Sequence, residues 1–132
     1  MKSIDTNILV RFLVGDDAAQ AEIVRKTFER AERRGDSYFV CTAVVLELIW
    51  VLESVYELSG DEIRMSFEKM LQLPVLEFEN RDIIAKLVES DRRHILDLPD
   101  LLIGLNAKIH GCDTTLTFDK KASGSTLFEL LH

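Results

Sequence analysis

Four acidic residues occupy positions from which carboxylates do chemistry. Asp5 stands at the end of a short strand pattern and is followed by Thr6 and Asn7. Glu47 interrupts the most apolar stretch of the chain, residues 43–52. Asp100 lies three residues after Asp97 at a helix start, and Asp119 closes Thr117-Phe118-Asp119. Each has an ordinary structural role beside the chemical one. Asp5 could be a helix N-cap, Asp100 an acid favoured by the helix dipole in a first turn, and Asp119 a turn aspartate. Glu47 is the sharpest signal, because almost all its neighbours are apolar. A helix covered nearly all round makes an ionised carboxylate costly unless something pairs with it. The structural alternatives are an internal salt bridge or an edge position facing water, and the chemical reading, preferred here, is a metal ligand on a cavity wall. Taken together, an all-oxygen donor set suits Mg²⁺ or Mn²⁺. Such an ion activates water and neutralises charge on phosphoryl oxygens. Zinc spacing of Cys and His, a glycine-rich phosphate loop and a G-x-S-x-G elbow are all absent from the sequence.

The elements that must position these acids alternate. Residues 2–4 read as a strand, 7–14 as a short helix, and a longer helix opens at Asp16 and Asp17. Ala21, Val24, Phe28 and Ala31 recur at helical spacing on the inner face of that helix, and Gly35 ends it. Residues 38–41 form a second strand. Thr42 is placed to cap a helix reaching about Tyr56, and Ser59-Gly60-Asp61-Glu62 has the form of a capping box for a helix that stops before Pro74. A third strand covers 75–78, and Asn80 caps a helix towards His94. Asp97 caps another, with Pro99 in its first turn and Gly111 closing it. A fourth strand covers 114–117, and residues 126–130 fit either a strand or a helical turn. This alternation predicts an α/β fold with a mostly parallel sheet and helices on both faces. Ligands of such sheets bind beyond the carboxyl ends of the strands, where Asp5 and Asp119 stand.

At 132 residues the chain fits a single domain, expected to span 1–132. Its formal charge of −7 argues against a nucleic-acid coat protein, which would show a basic excess. An enzyme acting on nucleic acid is not excluded, since bound cations offset an acidic cluster. The start of the chain shows no basic region leading into an apolar run, so no secretory leader is expected, and no stretch is long and apolar enough for a bilayer. Cys41 and Cys112 are far apart without ligand-spaced partners, and they read as two buried thiols in a reducing cytoplasm.

Four segments, in order, carry a resemblance. Ile4-Asp5-Thr6-Asn7, Glu47-Leu48, Asp97-Leu98-Pro99-Asp100-Leu101-Leu102-Ile103 and Gly111-Cys112-Asp113-Thr114-Thr115-Leu116-Thr117-Phe118-Asp119 resemble the motifs of PIN domains, in particular those of VapC-type toxins of VapBC toxin–antitoxin pairs. The resemblance implies a three-layer α/β/α domain and a cytoplasmic Mg²⁺- or Mn²⁺-dependent endoribonuclease. It also implies a homodimer and inhibition by a cognate VapB-like antitoxin. Asp5, Glu47, Asp100 and Asp119 take the acidic catalytic and metal-holding positions, with Thr6, Asn7, Asp97 and Thr117 in support. The chemistry implied is in-line attack of an activated water on an RNA phosphodiester. Ala122-Ser123-Gly124-Ser125 is smaller and more polar than the family pattern.

Other features have weaker readings. Lys26, Arg30 and Arg33 share a helix face interleaved with Glu22, Glu29 and Glu32, the pattern of a solvated surface. Lys120 and Lys121 follow Asp119 directly and are better placed for RNA phosphates. Trp50, Val51, Tyr56, Met65 and Phe67 exceed what one small sheet needs to cover it and point to a dimer or antitoxin interface, with ordinary core packing as the alternative. His94, His110 and His132 receive no role. Two rivals stand beside the nuclease. An aspartate-nucleophile phosphatase would want an acid two residues after Asp5, where Asn7 stands. A catalytically inert PIN-fold binding module would have no need of the four acids.

Overall fold

The computed structural model describes residues 1–89 and 95–132. These fall into two compact units, Met1–Arg81 and Asp82–His132. The first unit runs β1 (Lys2–Ser3), α1 (Thr6–Leu13), α2 (Ala18–Arg34), β2 (Tyr38–Val40), α3 (Thr42–Ser54), α4 (Gly60–Leu71) and β3 (Leu76–Phe78). Its three strands are parallel in the order β1-β2-β3, with Ser3 opposite Phe39 and Val40 opposite Phe78. Parallel neighbours need crossover connections, and each is a helix pair. Val40, Leu76 and Phe78 of the sheet are buried. So are Leu9 and Val10 of α1, Val24, Phe28 and Ala31 of α2, and Ile63, Phe67 and Met70 of α4.

Local chemistry sets the helix ends. Asp17 accepts a hydrogen bond from Gln20 N at 3.0 Å, and Gly35 adopts φ 73°, a left-handed stop that glycine takes without a Cβ penalty. The capping box expected at Ser59 forms, with Ser59 Oγ accepting from Glu62 N and Glu62 Oε1 accepting from Ser59 N, both at 3.1 Å. The start of α3 differs from expectation. Cys41 is its N-cap and offers no side-chain bond, and Thr42 is already helical. The Thr42 N–H is instead satisfied by Glu79 Oε1 at 3.1 Å, so the acid that follows β3 caps the helix that follows β2.

The faces of α3 also depart from the expected all-round burial. Val45, Leu48, Ile49 and Leu52 are no more than 1% exposed, whereas Leu46 is 38% and Trp50 59% exposed. Glu47 lies on that open side and is exposed. The apolar run contains two faces at helical spacing, and only one is covered, so the solvation cost assigned to Glu47 does not arise.

α5 (Arg81–Glu89) starts at the last residue of the first unit and continues into the second, which also carries α6 (Leu98–Ile109), β4 (Thr115–Thr117), a 3₁₀ turn at Ala122–Gly124 and β5 (Phe128–Leu130). The expected reach of α5 to His94 lies outside the described residues. β4 and β5 are parallel, with Thr115 opposite Phe128. The tail therefore contains both a helical turn and a strand. Gly104 of α6 is closely packed, since a Cβ there would lie 3.1 Å from Leu127 Cβ and 3.1 Å from Phe128 Cε2 and would require those side chains to give way. The α/β class with parallel strands is thus the observed one. Neither cysteine is fully buried as expected. Cys41 is half-buried at a helix start, and Cys112 is exposed just past Gly111, where the chain turns. Among the described residues no helix is long and apolar enough to cross a membrane.

The two faces of α3 predict opposite mutational costs. Leu48→Ala should destabilise by about 2–5 kcal/mol, the range for emptying a packed site. Leu46→Ala should cost less than about 1 kcal/mol. Urea unfolding of both variants checks this, and equal losses would mean that the outer face of α3 is covered.

Candidate active site

Each strand-end acid is held by the backbone that follows it. In the first unit, Asp5 leaves β1 with extended backbone, φ −88° and ψ 165°, and caps α1, its Oδ1 accepting from Thr6 N at 2.7 Å. Its side chain is exposed, as is that of Asn7. Thr6 is only 2% exposed, and its Oγ1 is buried without a hydrogen-bond partner among the described residues. Such an orphaned hydroxyl beside an acid is the kind of group a bound water or hydrated ion satisfies. Glu47 projects from the open side of α3.

In the second unit, Asp97 caps α6, its Oδ1 accepting from Asp100 N at 2.9 Å. Asp100 is partly buried in the first turn. Asp119 is fixed on both sides. Its N–H donates to Thr117 Oγ1 at 3.0 Å, and its Oδ1 accepts from Lys121 N at 2.9 Å and from Ala122 N at 3.3 Å. Thr117 thus holds the backbone of Asp119, as a supporting residue would. Burial holds the Asp100 carboxyl above the usual aspartate range, the charge and hydrogen bonding of Asp97 add to this, and Asp119 contributes a smaller push. Lys120 and Lys121 are exposed, and neither forms an ion pair among the described residues.

Within each unit, no three Asp, Glu, His or Cys side chains among the described residues stand close enough together to hold an ion between them. The donors present nonetheless fit a hard divalent cation in kind. In the first unit they are the Asp5 carboxylate beside the unsatisfied hydroxyl of Thr6. In the second they are the carboxylates of Asp97, Asp100 and Asp119, where burial first and then the charge of Asp97 and Asp119 hold the Asp100 carboxyl above its ordinary range.

Sequence reasoning overlooked Glu79. It follows β3 as Asp5 follows β1, and the strand-end rule applied to Asp5 and Asp119 would have found it; its observed work is to cap α3. The basic face of α2 is a solvated one, with Arg25 paired to Glu22 and Glu29, and Lys26 to Glu22. Of the residues assigned to an interface, Phe67 is core, and Tyr56 is engaged internally, its hydroxyl donating to Asp16 Oδ2 at 2.8 Å. That bond, with help from Arg11, keeps the Asp16 carboxyl below its ordinary range. Trp50 and Met65, at 59% and 68% exposure, remain on the surface.

The parallel strands, the acids at their carboxyl ends and the late Asp97/Asp100 helix start fit one family, and the chain belongs to it: the PIN-domain model matches residues 3–124. A relative described as a VapC ribonuclease, from Aquifex aeolicus (strain VF5), is 26% identical over 121 residues, covering 92% of this chain and 89% of the relative. No solved structure matches the chain. The family resemblance read from the four motifs is borne out, and the PIN domain is a three-layer α/β/α fold.

The charge around Asp100 predicts a pH dependence. A carboxyl with a higher pKa in the folded chain than in the unfolded chain binds its proton more tightly when folded. Its stabilising contribution is present in acid and is lost as pH rises from the ordinary aspartate range through the raised folded value. Asp100→Asn should therefore melt above the parent near neutral pH in EDTA, with the gain disappearing in acid. Asp97→Asn, which keeps a capping oxygen, should recover part of the same gain. Melting curves between about pH 3.5 and about pH 8 check this. An Asp100→Asn variant that melts below the parent at neutral pH would show that Asp100 serves the helix start.

Proposed function

We propose that the chain is a Mg²⁺- or Mn²⁺-dependent endoribonuclease, the toxin of a toxin–antitoxin pair, acting as a single PIN-type domain over residues 1–132. Family membership and the similarity to a VapC ribonuclease support this reading. The structural observation that carries it is the company of Asp100, a partly buried residue whose backbone N–H donates to Asp97 Oδ1 at 2.9 Å and whose carboxyl is held above its ordinary range by burial, by Asp97 and then by Asp119. In a chain of this family, a carboxylate group short of positive charge is best read as a cation site.

Asp5 and Glu47 of the first unit, and Asp100 and Asp119 of the second, are the proposed metal-holding and catalytic acids. Asp97 positions Asp100 through the first turn of α6, Thr117 positions Asp119, and Thr6 and Asn7 flank Asp5. Lys120 and Lys121 bind RNA phosphates. When bound, the ion supplies acidification of water and neutralisation of charge at the phosphoryl oxygens. The partners are an antitoxin protein and a second copy of the chain, with Trp50 and Met65 as apolar contact surface. The proposed location is the cytoplasm.

Purified protein should cut single-stranded RNA with Mg²⁺ or Mn²⁺ and stop in EDTA. Asp5→Asn, Glu47→Gln, Asp100→Asn and Asp119→Asn should each lower the rate by about 100-fold or more, at or beyond the upper end of what loss of a metal-supporting group costs. Expression of the parent should slow growth of the host, and Asp5→Asn should relieve this at equal protein level. Cleavage that survives EDTA and dialysis would remove the metal from the proposal. An Asp5→Asn variant as toxic as the parent would remove the nuclease from the toxicity.

A further inference from the structure

Phe118 stands out among the aromatic residues. Of the seven phenylalanines it alone is exposed, at 78%, while Phe28, Phe67, Phe78 and Phe128 are buried and the other two half-buried. A ring left in water at a loop tip would be ordinary. This one is one residue from Asp119, which puts consecutive Cα atoms about 3.8 Å apart, and Asp119 is followed by the exposed Lys120 and Lys121, which form no ion pair among the described residues. Its backbone is also held from both sides. Asp119 N is tied to Thr117 Oγ1, Asp119 Oδ1 to Lys121 N and Ala122 N, Ser123 N to Asp119 O at 3.1 Å, and Leu131 N to Thr117 O at 2.8 Å. The ring is therefore presented from a fixed turn rather than a loose loop.

We propose that Phe118 is a stacking platform for a nucleobase of single-stranded RNA, and that it positions the substrate for the carboxylate site. The inference rests on the nuclease reading above and adds a substrate-positioning residue to it. Two observations favour an unpaired nucleotide as the occupant. An aromatic face takes any base, and lysines beside it take the phosphates, the combination by which proteins hold single strands with little sequence preference. The fixed backbone lowers the ordering cost of binding, because the platform does not have to be assembled. A base stacked on Phe118 brings its own backbone to the residue that carries the Asp119 carboxylate.

The test uses Phe118→Leu, which keeps apolar bulk but loses the aromatic face, and Phe118→Trp, which keeps the face and adds a reporter. Affinity for a labelled single-stranded oligoribonucleotide is measured in EDTA by anisotropy, and cleavage is measured with Mg²⁺. Phe118→Leu should lose about 5- to 150-fold in affinity, the equivalent of about 1–3 kcal/mol of base stacking. Its KM should rise with little change in kcat, and its melting temperature should stay that of the parent. Phe118→Trp should keep parental affinity, and its emission should be quenched by RNA beyond any change shown by Trp50 in the parent. If the parent binds and cuts RNA but Phe118→Leu has parental KM and Phe118→Trp is not quenched, the platform is wrong and the nuclease stands. If the parent neither binds nor cuts RNA, the nuclease reading fails first and the platform with it.

Discussion

The interaction on which the rest depends is a carboxylate oxygen accepting a backbone N–H at the start of a helix or turn. It recurs at Asp5 on Thr6 N, Asp17 on Gln20 N, Glu79 on Thr42 N, Asp97 on Asp100 N and Asp119 on Lys121 N and Ala122 N. The first turn of a helix leaves several N–H groups without partners, and an anion there satisfies one while meeting the positive end of the helix dipole. Three of these acids, Asp5, Glu79 and Asp119, stand just beyond the carboxyl end of a strand. At Asp5 and Glu79 of the first unit, capping a helix also places an acid just past a strand. At Asp5 and Asp119 the bonds use Oδ1, so anchoring the side chain does not consume both oxygens.

That economy has an electrostatic cost. Asp100 bears most of it, being partly buried in a first turn whose cap is another aspartate and within reach of the charge of Asp119. The dipole of α6 offsets part of the repulsion, and a bound cation would offset more. Thr117 and the turn after Asp119 are themselves held by hydrogen bonds.

Much of this was legible from residue types. The capping box at Ser59, the Asp17 and Asp97 caps and the glycine stop at Gly35 depend on chemistry within four residues of each position, and all form as read. Where the partner is distant in sequence the reading failed. The cap of α3 comes from Glu79, 37 residues away, so Thr42 was credited with a role it does not have. Glu47 was taken as surrounded because its sequence neighbours are apolar, yet Leu46 and Trp50 share its exposed side.

The sequence by itself determined the α/β class, the parallel alternation, the order of the acids along the chain and their family. Periodicity, caps and motif spacing are local properties that survive without coordinates. Tertiary structure alone decided which face of α3 is covered, which of seven phenylalanines is left in water, how closely Leu127 and Phe128 approach Gly104, and that burial holds the Asp100 carboxyl above its ordinary range. Those outcomes depend on what packs against each residue from elsewhere in the chain, and an amphipathic pattern with two apolar faces does not say which of them finds a partner.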